Sequence, residues 1–319
     1  MDALDSITPP PRLGDRVVVR YRLPDSSATD LVGWVEELDD AHILVRDAAR
    51  DPVAVQRRSI VAARRLPAAR VGRDPLRTSA EELEQIALPG WVAERQPLGE
   101  WTLRAGGGFT GRANSCLAVG DPGVPVADAA REISEFAAAH GIPARAQVVD
   151  GSSPEAGLRA LGWTDCYVPT DVLTVRLNDL LAADPDPAVP LQETLGQAWL
   201  DAYHLSRPNS VDPQLLRRIL ESEGPRAFAG VPANGRLVAI GRGHVSADWL
   251  GIASVWTDPD WRQRGWATKV MVALGHWAAR RGARNVYLQV AAENAAAHRA
   301  YARLGFVRHH GYGYLQPPA

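Results

Sequence analysis

Short runs of alternating apolar and polar residues fill the opening stretch of the chain. Residues 16–22, 31–37, 42–46, 53–56 and 59–65 carry aliphatic side chains at about every second position, and Pro24, Asp25, Asp39, Asp40, Asp51 and Pro52 stand between them. Proline removes a ladder donor and aspartate favours turns, so each run ends where one of these begins. Five strands packed this closely predict a small closed all-β barrel. Further on the period changes. Residues 114–120 read as a strand that stops at Asp121 and Pro122, and helical spacing follows from about residue 126 to Gly141. Helical spacing returns at 195–205 and 213–223, and 227–231 with 237–245 form a hairpin around Asn234 and Gly235, a dipeptide suited to a two-residue turn.

The pattern is most informative between Ile252 and Phe306. An apolar, β-branched run from 252 to 257 ends at Asp258 and Pro259, and Arg262, Gln263, Arg264, Gly265, Trp266, Ala267 and Thr268 follow. Ala267, Val270, Met271, Leu274, Trp277 and Ala278 then recur at helical intervals, predicting a helix with one face on a sheet. A glycine before a helix start lets an anion approach the unpaired N–H groups and the positive end of the dipole, and Arg262 and Arg264 add charge-assisted donors. A strand at 286–290 comes next, and Asn294 can cap a last helix that ends at Leu304 before Gly305. Tyr301 lies inside that helix, on a stripe with Ala297 and Leu304.

This arrangement resembles the GNAT superfamily of N-acetyltransferases, whose pyrophosphate loop reads (Gln or Arg)-x-x-Gly-x-(Gly or Ala). Arg262, Gly265 and Ala267 match the loop, and Asn294, Tyr301 and the run Leu304, Gly305, Phe306 are similar to that family's second cofactor motif. The resemblance implies acetyl-CoA as co-substrate, held by residues Arg262, Gln263, Arg264, Gly265, Trp266, Ala267, Thr268 and Asn294. In the family, backbone groups of the preceding strand pair with the pantetheine arm, which carries over to Val255, Trp256 and Thr257. It also implies Tyr301 as the acid that protonates the leaving thiolate. Read without the resemblance, Tyr301 is a core residue, and Val255 and Trp256 are core or pocket wall.

A weaker copy of this unit precedes it: the strand at 114–120, the helix that follows, and the run Leu161, Gly162, Trp163 echo the later segment. The copy is broken. Asp121 to Gly141 spans four fewer positions than Asp258 to Gly282, and Gly123, Val124 and Pro125 stand where an arginine-bearing loop would be. Leu158 occupies the place of Tyr301. The expected architecture is therefore α/β, two tandem GNAT-like mixed-sheet units preceded by a small SH3-like barrel. Its expected boundaries are 1–67 for the barrel, 68–78 for a linker, 79–183 for the degenerate unit, 184–190 for a second linker and 191–319 for the catalytic unit.

A general base is not legible. The strand at 252–257 offers only Ser254 and Thr257 as polar side chains, and Asp248, His244 and Glu193 are partners through water at best. His309, His310, Tyr312 and Tyr314 either line an acceptor pocket or finish the final strand.

Composition narrows the classes. Two cysteines, Cys116 and Cys166, are too few for a disulfide scaffold and lack metal-ligand spacing, so no metal is expected. No apolar run is long enough for a membrane span and the amino terminus lacks a signal pattern, so the expected setting is the cytoplasm. Residues 189–319 hold 15 basic against 9 acidic side chains, a balance of +6 that suits a polyanionic cofactor, while 1–75 balance at 12 each and carry no nucleic-acid footprint. The expected function is acetyl-CoA-dependent N-acetylation of an amine on a small molecule or a protein. The alternative is a non-catalytic acyl-CoA-binding regulator whose barrel recruits a partner.

Overall fold

The computed structural model describes Leu4 and residues 10–13, 15–23, 27–46, 52–65, 75–91, 94–181, 184–207, 212–221 and 224–318. The expected linker at 68–78 lies outside the described residues as far as residue 74.

Strands β1 (Arg16–Arg22), β2 (Ala28–Leu38), β3 (His42–Arg46), β4 (Val53–Gln56) and β5 (Ile60–Arg65) form a five-stranded antiparallel sheet in the order β4-β3-β2-β1-β5. Val17, Val19, Val35, Ile43, Val45, Val55 and Ile60 fill its inner face. β2 begins three residues before the apolar pattern does, because Thr29 and Asp30 pair with Tyr21 and Arg20 across the hairpin. Hydrogen bonding there is set by register, not by apolarity.

The rest of the chain alternates helices and strands. In order they are α1 (Ala80–Ala87), β6 (Glu94–Leu98), β7 (Trp101–Ala105), β8 (Cys116–Ala118), α2 (Val126–Ala139), β9 (Ala146–Val149), α3 (Ser153–Ala160), β10 (Thr164–Asp165), β11 (Thr170–Arg176), α4 (Leu177–Leu180) and β12 (Leu191–Gln192). Then come α5 (Gln197–Ser206), α6 (Pro213–Leu220), β13 (Arg226–Ala233), β14 (Arg236–Ser246), β15 (Trp249–Thr257), α7 (Trp266–Ala279), β16 (Asn285–Ala291), α8 (Ala295–Ala302) and β17 (Val307–Gln316).

All the strands from β6 onward belong to one twelve-stranded sheet, ordered β12-β13-β14-β15-β16-β11-β17-β9-β8-β7-β6 with β10 on β17. Two adjacent pairs are parallel, β8 with β9 and β15 with β16, and a helix connects each pair, α2 and α7. The sheet halves exchange their closing strands: β11 pairs with β16, and β17, the last strand of the chain, pairs with β9. β11 and β17 also pair with each other, which makes the sheet continuous.

Sequence spacing predicted that α7 would bury one face, whereas the structure covers it on both. Nine of its residues are buried, among them the consecutive run Val270 to Gly275. The reason is α4, whose Leu177 and Leu180, with Leu181, lie where a Cβ on Gly275 would stand, the nearest atom at 3.0 Å. On the other half, Glu84 of α1 is buried and ties the exchanged strands together. It accepts a hydrogen bond from Gln147 Nε2 of β9 at 2.6 Å and lies 3.1 Å from His310 Nε2 of β17. Arg104 donates to Gln147 Oε1 at 2.8 Å and to the Ser115 carbonyl at 2.9 Å, so the buried charges are matched. Among the described residues no helix is long and apolar enough to cross a membrane.

Candidate active site

The site begins with a fault in β15. Its register against β14 jumps from Trp256 opposite Ile240 to Ala253 opposite Arg242, so Ser254 and Val255 together face Gly241. Ser254 takes φ 55°, a left-handed conformation that costs a non-glycine residue on the order of 1–3 kcal/mol. Such a bulge bends its strand and ends pairing. β15 accordingly pairs with parallel β16 only from Trp249 to Ile252, and residues 253–257 keep β14 on one edge and leave the other open. A wedge opens between the strands. Gly241 permits it: a Cβ there would stand 2.5 Å from Val270, so only glycine lets α7 lie this close.

Val255 packs towards the α7 side and Trp256 towards the cluster of α5 and α6. Thr257 Oγ1, Ser254 Oγ and Trp266 Nε1 are buried without a hydrogen-bond partner. Buried polar atoms are nearly always satisfied, and three of the orphans among the described residues gather on this segment, where they are free to meet a ligand.

Asp258 fixes the turn that follows. Its carboxylate pairs with Arg236 at 2.6 Å and accepts the Asp260 N–H at 3.0 Å, and these bonds hold it below the usual carboxylate range. Arg262 Nε donates to the Thr257 carbonyl at 3.2 Å, and Arg264 lies 4.8 Å from the Trp261 ring while donating to the Asp260 carbonyl. Gln263 has φ 61° and Gly265 φ 76°, with open space where a Gly265 Cβ would be. Gly265 is the N-cap of α7 and offers no side chain, so the N–H groups of Trp266, Ala267 and Thr268 have no acceptor among the described residues. Lys269 adds a cation one residue further on, 2.8 Å from Asp186. The result is a concave donor array with a positive dipole end.

Asn294 caps α8 by accepting the Ala297 N–H at 3.1 Å, which commits its side-chain oxygen to the helix. Tyr301 packs against Phe306, ring centroids 5.9 Å apart, on the α7 side of the sheet. Burial pushes its phenol above the ordinary tyrosine value, and Arg207 opposes this, so it is a proton carrier throughout the neutral range. The structure does not bring the sequence's base candidates here. Asp248 sits in the turn before β15, about 20 Å along the strand from the bulge. Glu193 bonds Trp277 and Arg281 near the far end of α7, about 17 Å from its first turn. His244 faces Gly251, three residues before the bulge, beside Gly90 and Gly224. His309 and His310 belong to the buried network around Glu84, whereas Tyr312 accepts a hydrogen bond from Arg112.

The corresponding place in the other half of the sheet is closed. The Asp121 N–H is taken by Glu100 at 2.6 Å and the Gly123 N–H by Asp121 at 2.8 Å, so carboxylates occupy the donors there. Sequence reasoning missed Arg112, Trp91, Tyr203 and Arg207, which gather beside the wedge. No motif marks them because they come from separate segments of the chain.

A bulged strand splayed from a parallel neighbour, over an uncapped helix start, lies in a fold shared with GNAT acetyltransferases. The fold is shared with a GCN5-related N-acetyltransferase from Kribbella flavida, at a TM-score of 0.55 and 19% identity, over 75% of this chain and 96% of that one. Residues 78–315 match the family described as "Probable histone acetyltransferase Rv0428c C-terminal", and the chain belongs to that family. Residues 11–64 match the "Rv0428c N-terminal Sm-like domain", which corrects the SH3-like expectation. Strand number and spacing are common to small barrels and could not separate the two. Across full length the chain is 29% identical to the probable histone acetyltransferase Rv0428c of Mycobacterium tuberculosis, over 96% of this chain and 95% of that protein. It is 26% identical to the N-acetyltransferase YobR of Bacillus subtilis, over 70% of this chain and 93% of that protein. The protein is an enzyme, an N-acetyltransferase.

Proposed function

We propose that the enzyme transfers an acetyl group from acetyl-CoA to a primary amine, at one active site built by residues 191–319. The observation that carries this reading is the wedge with its three orphaned polar atoms, set beside the uncapped start of α7. Arg262, Gln263, Arg264, Gly265 and the N–H groups of Trp266, Ala267 and Thr268 would hold the pyrophosphate, and the open edge of Val255, Trp256 and Thr257 the pantetheine arm. Asn294 orients α8, and through it Tyr301. Acetyl-CoA supplies an activated acyl carbon as a thioester. Transfer forms a C–N bond and breaks the C–S bond, and the Tyr301 hydroxyl gives its proton to the departing sulfur while the amine loses one to solvent.

In this reading residues 79–183 and 191–319 are two GNAT-like units, joined at 184–190 and preceded, across 68–78, by the barrel at 1–67. The parallel pairs β8/β9 and β15/β16 with their connecting helices support it. The carboxylates on the Asp121 and Gly123 donors support a single coenzyme site. A cytoplasmic setting accords with it. Titration calorimetry tests it: one coenzyme A per chain is expected, and thiol release from acetyl-CoA in the presence of an amine panel reports transfer. A stoichiometry near two would refute the single site.

A further inference from the structure

Arg112 comes from the loop between β7 and β8, in the half of the sheet without the cofactor wedge, yet its loop docks on α5 and α6. Phe109 and Ala113 share an apolar cluster with Tyr203, Leu216 and Ile219. The loop is held by Asn114, buried to 1% exposure, whose Oδ1 accepts from Gly106 and Gly108 at 2.8 Å. Its Nδ2 donates to the carbonyls of Phe109 at 2.6 Å and Thr110 at 3.0 Å. Thr110 takes φ 58°, which a β-branched residue adopts only under constraint. Strain maintained by four hydrogen bonds marks a loop built to place something.

What it places is a guanidinium. Arg112 Nε donates to Tyr312 OH at 2.8 Å and its plane lies 5.5 Å from the Trp91 ring. Among the described residues that is its single hydrogen bond, so both terminal nitrogens keep their donors. Arg242 lies 5.3 Å from the same ring, but it spends donors on the Leu220 and Gly90 carbonyls at 2.8 and 2.9 Å, so it braces Trp91. Arg207, at the end of α5, reaches over Tyr203 from the rim, 6.0 Å from its ring.

These residues adjoin the wedge. Trp91, Phe109 and Tyr203 belong to the cluster against which Ala253 and Trp256, flanking the bulge, are packed. Tyr312 pairs with Thr170, which pairs with Ala291 at the end of β16, so Arg112 is anchored two strand spacings, about 10 Å, from β16, the near wall of the wedge. Arg207, Arg112 and Arg242 all oppose the burial that raises the Tyr203 phenol. Glu84, an acid whose charge acts on Arg112, is committed to Gln147 and His310.

We infer that the acceptor is an amine that also carries a carboxylate some 10 Å or less from its nitrogen, with Arg112 gripping the carboxylate through its two terminal nitrogens and Arg207 closing the rim. This rests on the acetyl-transfer reading above. A planar, oriented guanidinium matches a carboxylate bidentately. A polycationic segment would meet two like charges there and be rejected.

The test compares kcat/KM, by thiol release from acetyl-CoA, for carboxylate amines of graded length, their methyl esters and a lysine-rich peptide. The parent enzyme is expected to prefer acids over their esters by roughly ten- to a hundredfold, the size of a charge-assisted hydrogen-bond pair. In R112Q that ratio falls to near one through KM while coenzyme A affinity, measured separately by calorimetry, stays at the parental value. R112K recovers part of the ratio. If R112Q fails to fold, R207Q at the exposed rim lowers the ratio in its place. Equal rates on acids and esters, a preference for the peptide, or a preference that survives R112Q would overturn the inference and leave the transferase standing. Coenzyme A binding with no thiol release on any amine would instead remove the transfer reading itself.

Discussion

At the scale of single residues, two positions separate chemistry from architecture. Tyr301 is half-buried on the side of α8 that packs on the α7 core, and desolvation holds its phenol above the ordinary tyrosine value. Tyr301→Phe keeps the ring against Phe306, so coenzyme A affinity is expected to stay constant while kcat falls by about 10²–10⁴. The sign of the pH effect follows from the raised pKa. The acid works while protonated, so the parent's alkaline limb is expected above the ordinary tyrosine range and the Phe variant is expected to lack it. Parental turnover in the variant, or an unchanged alkaline limb, would return Tyr301 to the core. Gly265 makes the complementary case. A side chain there meets no protein atom, so Gly265→Ala costs the fold only a left-handed residue, about 1–2 kcal/mol, while its methyl stands in the anion's approach and is expected to weaken coenzyme A binding. Gly265→Glu adds a carboxylate to an array of unpaired N–H groups and is expected to abolish coenzyme A binding in titration calorimetry without unfolding the protein.

At the scale of elements, β17 matters most. It is the last strand in the chain, yet it lies between β11 and β9 and carries His310 and Tyr312, which reach α1 and Arg112. The fragment 184–319 lacks β11, leaving β16 with an unpaired edge where β11 belongs, and lacks β9 and α1, on which β17 rests. That fragment is expected to be insoluble, or to show no cooperative melting by circular dichroism, whereas residues 75–319 fold. A fragment 184–319 that melts cooperatively and binds coenzyme A would show that strand exchange is dispensable.

At the scale of the whole molecule, a contact between the barrel and the rest of the described residues lies far from the wedge. Arg284, beyond the carboxyl end of α7, lies 5.8 Å from the Trp34 ring of β2. The helix separates that contact from the cofactor loop by about 21 Å. Removal of residues 1–67 is therefore expected to leave coenzyme A affinity within a few-fold of the parent by calorimetry. A soluble truncated protein that no longer binds would place the barrel in the site.

Local pattern settled those parts of this protein in which neighbours in sequence are neighbours in space. Period-2 alternation gave the five strands of the barrel, Asn234 and Gly235 gave the β13–β14 turn, and Arg262 to Thr268 gave the loop at the start of α7, because turn geometry and unpaired N–H groups are properties of a few consecutive residues. Tyr301 could be named from its helix stripe, but its burial could not, since that depends on what lies across the sheet. Tertiary structure alone decided the bulge at Ser254, which interrupts an otherwise regular apolar run opposite Gly241 of β14, where α7 packs. It decided that α7 is covered on both faces, because α4 comes from a distant segment. It placed β11 and β17 in each other's sheet halves, a pairing that carries no local signature. And it gathered Trp91, Arg112, Tyr203 and Arg207 from segments separated by up to about a hundred residues, so that these side chains became a group only when the chain closed the sheet.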